Sequence, residues 1–128
     1  MDTKDLDQHL EAGQRWGFIK ETGDPEYLGW VLLHKRKPKI VPAFDPREDP
    51  EGYARFQSMR AETLRRPYYI HIVELKRDVH ERGDYETSED QRNKENHYFA
   101  DLEEAVAFLN QRGYSLDKIR PAVEIDAP

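Results

Sequence analysis

The segment Tyr68-Tyr-Ile-His-Ile-Val-Glu-Leu75 constrains the fold more than any other part of the chain. Side chains of a strand alternate between two faces, and here both sets are largely apolar: Tyr68, Ile70 and Ile72 on one, Tyr69, His71, Val73 and Leu75 on the other. A strand of that kind belongs in the interior of a sheet. Elsewhere Trp16, Phe18 and Lys20 form a hairpin with Tyr27 to His34, turning at Thr22-Gly-Asp-Pro25, and His97-Tyr-Phe99 brings the chain back into the sheet as the expected hairpin partner of 68–75. Ile40 to Phe44 is short, apolar and β-prone, with Pro42 placing it at an edge or bulge, and Ile119 to Ile125 holds a last short strand candidate around Val123 and Ile125. The polar stretch Asp78 to Asn96 reads as a long, mobile hairpin loop or as an outward extension of the flanking strands as a ribbon.

Helix signals lie between these strands. Asp101-Leu-Glu-Glu104 resembles a capping box, and Leu102, Ala105, Val106 and Leu109 follow at helical spacing to a stop at Gly113. Asp49-Pro50-Glu51 combines a capping side chain, proline at the first helical position and a carboxylate near the positive end of the dipole. That helix should run to Arg65 or Arg66, stop at Pro67, and bury a face built from Tyr53, Phe56, Met59 or Arg60, Thr63 and Leu64. A short first helix spans Asp5 to Ala12, with Leu6, His9 and Leu10 on one face. The expectation is an α+β fold: a single, mainly antiparallel sheet of about five to six strands packed against two principal helices. The recurring order of hairpin, aromatic-aspartate strand end and capped helix reads either as two β-β-α units or as a chance likeness of generic pieces.

At 128 residues the chain suits one domain spanning 1–128, and it has no cysteine to supply a disulfide, a thiolate ligand or a thiol nucleophile. With an acidic N-terminus and no apolar run of membrane-spanning length, it reads as a cytoplasmic protein that does not enter membranes.

The net charge of −6 disfavours broad binding to nucleic acid or anionic lipid. Residues 35–66 nevertheless hold nine Lys or Arg against five Asp or Glu, a basic middle between acidic ends. Lys35, Arg36, Lys37 and Lys39, together with Arg60, Arg65 and Arg66, are the candidate phosphate contacts within it. Trp16 and Trp30, both on hairpin strands, are either interface anchors or the core of that hairpin.

Motifs for chemistry do not stand out. His9, His34, His71, His80 and His97 lack metal-clamp spacing, Ser58, Ser88 and Ser115 lack a nucleophile-elbow context, and the glycines form no phosphate-cradling loop. Asp84, Glu86, Glu89 and Asp90 lack the order of a calcium loop. No catalytic, metal or cofactor residues are therefore assigned.

The reading that follows is a non-enzymatic protein-binding module, a small acidic regulatory, inhibitory, immunity-like or antitoxin-like factor that recognises another protein. Two alternatives accompany it. One is a nucleic-acid-binding accessory protein that uses the basic segment 35–66; the other is a small enzyme with a cleft joining His71, His97 and a carboxylate. A homodimer paired through Ile40 to Phe44 or the strand near Val123 is open, with Pro42 and Pro121 against it.

Overall fold

The computed structural model describes residues 1–38, 45–83 and 87–128, so Lys39, the expected strand 40–44, Asp84 and Glu86 lie outside the described residues. The centre of the fold is a nine-residue antiparallel pairing between β2 (Tyr27–Lys35) and β3 (Tyr68–Lys76), in register from Tyr27 opposite Lys76 to Lys35 opposite Tyr68. On the outer side of β2, the expected hairpin brings back β1 (Trp16–Lys20), with Trp16 opposite Leu33. On the outer side of β3 lies β4 (Gln91–Phe99), and a two-residue β5 (Arg120–Pro121) pairs with the start of β1. The result is one five-stranded antiparallel sheet in the order β4-β3-β2-β1-β5, with β3 in the interior.

The two apolar faces of this sheet are covered by different means. On the first face Trp16, Phe18, Val31, Leu33, Tyr68, Ile70 and Ile72 pack against α1 (Thr3–Glu11) and α4 (Leu102–Gln111) through Leu6, Leu10, Leu102, Ala105 and Leu109. α4 starts at the expected cap, Asp101 accepting from the Glu104 amide, whereas α1 starts two residues before the expected Asp5, with Asp2 accepting from the Asp5 amide, each bond at 2.8 Å. On the second face Trp30, Leu32, Val73 and Leu75 are covered by the C-terminal 3-10 turn Ala122–Ile125. The Trp30 indole Nε1–H donates to the Ile125 carbonyl at 2.8 Å, and the His80 ring from α3 (Arg77–Arg82) lies 4.8 Å from Trp30.

Several expectations need correction. The stretch 78–96 is not one loop: α3 occupies its start, and β4 begins at Gln91. β4 escapes the apolar pattern because it is an edge strand whose inward side chains bond polar groups; Arg92 donates to Glu74 and Glu95 accepts from His97. Of the expected last strand within Ile119 to Ile125 only Arg120–Pro121 is a strand, as β5; around Val123 the chain is a 3-10 turn with Val123 89% exposed.

The helix with the expected caps is present as α2 (Pro50–Arg65), with Asp49 accepting from the Gly52 amide at 2.9 Å, but it does not bury the face its periodicity marks out. Only Gly52 in it is buried. The helices that cover the sheet are α1 and α4.

The charged position missed within β3 is Glu74, only 3% exposed. Its carboxylate accepts from Lys20 Nζ at 2.7 Å, Arg92 Nε at 2.9 Å and Asn93 Nδ2 at 3.0 Å. Burial opposes its ionisation, and these donors outweigh that cost and hold its pKa below the usual glutamate value.

Close approach of β1 to β2 explains one glycine. A Cβ at Gly17 would stand 2.0 Å from the carbonyl oxygen of Val31, a backbone atom that moves only if the strands separate. Gly17→Ala is expected to cost about 1–3 kcal/mol in urea unfolding, the usual range for overpacking. A change under about 0.5 kcal/mol would contradict this account of the β1–β2 spacing.

Candidate interaction surface

The C-terminal segment covers only part of the second sheet face. Beyond it, the alternation of β2, β3 and β4 brings out His34, Tyr69, His71, Asn96 and Tyr98, with Tyr69 opposite His34 on one side and Tyr98 on the other. The Tyr69 and Tyr98 rings stack at 4.9 Å, His34 meets Tyr69 edge-on at 4.6 Å, and the Arg36 guanidinium lies 4.3 Å above the Tyr98 ring. Tyr98 is 39% exposed and Asn96 is exposed, so this patch meets solvent.

Polar atoms tie the patch together. The Tyr69 hydroxyl donates to Asn96 Oδ1, and His71 Nδ1 lies 2.8 Å from the same oxygen. With a carbonyl oxygen as its acceptor, Nδ1 carries the proton, and in the neutral ring Nε2 is left as an acceptor. Tyr69 is held above the ordinary tyrosine value, first by burial and then by Tyr98. His34 Nδ1 and Arg36 Nε are buried without a hydrogen-bond partner among the described residues. Burial first, then the positive charges of Arg15 and Arg36 and the neighbouring His71 ring, lower the His34 pKa to about 4, so this ring is neutral at pH 7. Stacking faces, a hydroxyl and imidazole nitrogens suit recognition of a partner surface, where Tyr and Arg are favoured.

Arg36 joins this patch to α2, because its Nη2 donates to the Arg66 carbonyl at 2.6 Å, just past the end of the helix. Along α2, Gly52, Tyr53, Phe56, Met59, Arg60, Thr63 and Leu64 fall within an arc of about 140° at 100° per residue, the stripe expected of a packing face. The centre of the stripe is half-buried, whereas Met59 and Leu64 on its two flanks are 71% and 58% exposed.

The residues singled out from sequence are dispersed. Trp16 and Trp30 are 8% and 2% exposed and lie on opposite sheet faces, Trp16 among the first core and Trp30 in the second, so both are core rather than interface anchors. Lys35 pairs with Glu11 at the end of α1 and lies 5.1 Å from the Tyr68 ring, and Lys37 donates to the Glu11 carbonyl. Arg36 instead turns to Tyr98, and Arg65 and Arg66 pair with Glu62. Arg60 is half-buried on α2, and Lys39 lies outside the described residues. Lys35 and Lys37 thus gather at Glu11, whereas Arg36 meets Arg66 and, through it, the Arg65 and Arg66 pair on Glu62 at the end of α2. His71 and His97 sit on opposite faces of the sheet, opposite Asn96 and Ile70 respectively, and do not share a cleft.

His97 belongs to a different cluster. It bonds Glu95 at 3.0 Å, and Arg112 of the α4 C-terminus donates to both Glu95 oxygens. These partners, Arg112 foremost, lower the Glu95 pKa to about 2 and fasten α4 to β4. Among the described residues no three His, Asp or Glu side chains are grouped to hold a metal ion, and no helix is long and apolar enough to cross a membrane.

No protein-family model, curated protein or solved structure matches this chain.

The low His34 pKa fixes the sign of a pH effect. Between about 6.5, the ordinary value, and about 4, the unfolded chain holds a proton that the folded chain does not. The stability contributed by neutral His34 is complete above that interval and is lost as pH falls through it. His34→Phe keeps the ring and removes the titration, so the parent should lose more stability than the variant between pH 7.5 and 4.5. Parallel stability curves in urea would show that His34 is not held neutral.

Proposed function

We propose that this chain is a non-enzymatic protein-binding module whose contact surface is α2 together with the adjoining patch of Tyr69, Tyr98, His71 and Arg36. The observation that carries this reading is the half-covered apolar stripe of α2. Isolated helices of this length are marginal in water, and most draw their stability from burying such a stripe. Here Met59 and Leu64 remain in solvent, so a partner with an apolar groove gains by covering both flanks at once, as in helix-in-groove recognition. The Tyr–Arg patch beside the helix C-terminus adds rigid aromatic contact area of the kind that dominates binding hot spots. An acidic chain of net −6 favours a partner of opposite overall charge through faster encounter.

The test begins with a tagged pull-down from the source cells, treated with nuclease and washed at high salt. The retained protein is then purified and titrated against the parent and a Met59→Asp, Leu64→Asp double variant. Both side chains are exposed, so the variant should keep the parent's melting temperature within a few degrees, while its affinity falls by about tenfold or more, as expected when hot-spot contacts are lost. Equal affinity for the two proteins would remove α2 from the contact surface. Retention of nucleic acid at low salt, lost on nuclease treatment, would favour the basic segment instead.

A further inference from the structure

At the sheet edge opposite β4 the pairing is incomplete. β5 covers only Trp16 and Gly17 of β1. Beyond that point the chain on this side belongs to the 3-10 turn Leu116–Lys118, and no backbone hydrogen bond joins it to Phe18, Ile19 or Lys20. A groove of about 250 Å³ opens there, lined by Phe18, Ile19, Tyr114 and Ile125 and by the cations Lys118 and Arg120. Ile19 is 64% exposed although it stands within a strand.

Charge distinguishes this groove from the surface around it. Lys118 and Arg120 are exposed, and neither forms an ion pair with a carboxylate among the described residues; Arg120 Nη1 donates to the Ile119 carbonyl at 2.8 Å instead. By contrast Lys20, on the same strand edge, has its charge taken up by Glu74. Two uncompensated cations beside an apolar cleft, in a chain of net −6, mark a place where an anionic group is welcome.

We propose that this groove takes an extended, acidic peptide segment of a partner protein, which adds as a strand to the outer edge of β1. The Arg15 carbonyl accepts from the Ala122 amide on this side and Gly17 is covered by β5, so Ile19 is the next residue of β1 whose backbone N–H and C=O face the edge, and an added strand satisfies them without demanding a particular sequence. Selection comes from the side chains. One apolar residue of the peptide fills the space between Ile19, Tyr114 and Ile125, and a carboxylate next to it meets Lys118 or Arg120. A basic peptide gains the same backbone bonds but meets the cations with like charge. The site uses neither α2 nor the Tyr98 patch, so it stands or falls apart from the surface proposed above.

The test uses the full chain, isotope-labelled, and an acetylated, amidated peptide of roughly eight residues alternating Val with Glu; its counterpart alternates Val with Lys. The Glu peptide should shift the amides of Phe18, Ile19 and Lys20 saturably, and more tightly at low salt than at high salt. Lys118→Glu and Arg120→Glu, each checked for a dispersed spectrum, should weaken that binding by about tenfold or more. Equal binding of the Lys peptide, shifts confined to other parts of the chain, or no shift at millimolar peptide would overturn the proposal. So would shifts of the same amides on concentrating the protein alone, because the occupant would then be a second copy of this chain.

Discussion

The nine-residue pairing of β2 with β3 is the interaction on which the rest of the structure depends. Its residues are apolar on both sides, and each side needs its own cover. The first receives two capped helices, α1 and α4, whose Leu6, Leu10, Leu102 and Leu109 complete a conventional helix-on-sheet core. Among the described residues the second core contains no residue of a long helix. It is sealed at one end by the C-terminal turn, fastened through the Trp30 indole and the His80 ring, and at its other end it carries the aromatic and histidine patch. The uneven cover of one sheet separates a closed half from a half that meets solvent.

Charge is used within this frame as local fastening rather than as one field. Glu74 enters the sheet because three donors converge on it, and Arg92 extends that network to Asp24 at 3.2 Å while its guanidinium lies 3.7 Å from the Tyr27 ring. Glu95 fixes α4 through Arg112. Lys35 is drawn to Glu11 on α1, and Arg65 and Arg66 to Glu62. Part of the basic segment is thereby drawn apart, Lys35 to the end of α1 and Arg36 to Arg66 at the end of α2, because successive residues point to opposite faces and the ends of helices attract opposite charge.

The strands and caps that depend on local chemistry were legible in the residues. The hairpin of β1 and β2, the interior place of β3 and the N-caps at Asp49 and Asp101 all follow from alternation, turn residues and short polar side chains. What escaped depends on neighbours distant in sequence. β4 is polar because it lies at an edge, and its length shows only when Arg92 and Glu95 are seen to bond to Glu74 and Arg112. The patch of His34, Tyr69, His71 and Tyr98 exists only in the register of three strands, which no local motif encodes. The stripe on α2 was visible, but how far it is covered was not, since periodicity marks a face without saying what lies against it.

Because α2 is only half covered, its stability differs from that of the sheet, and amide hydrogen exchange on the isolated protein reads that difference. Amides of β2 and β3 should open only with global unfolding, whereas those of α2 from Tyr53 to Leu64 should exchange through local opening at a much lower free energy. Protection of α2 equal to that of β3 would mean that the helix is already fully supported by its own chain, and would contradict the account.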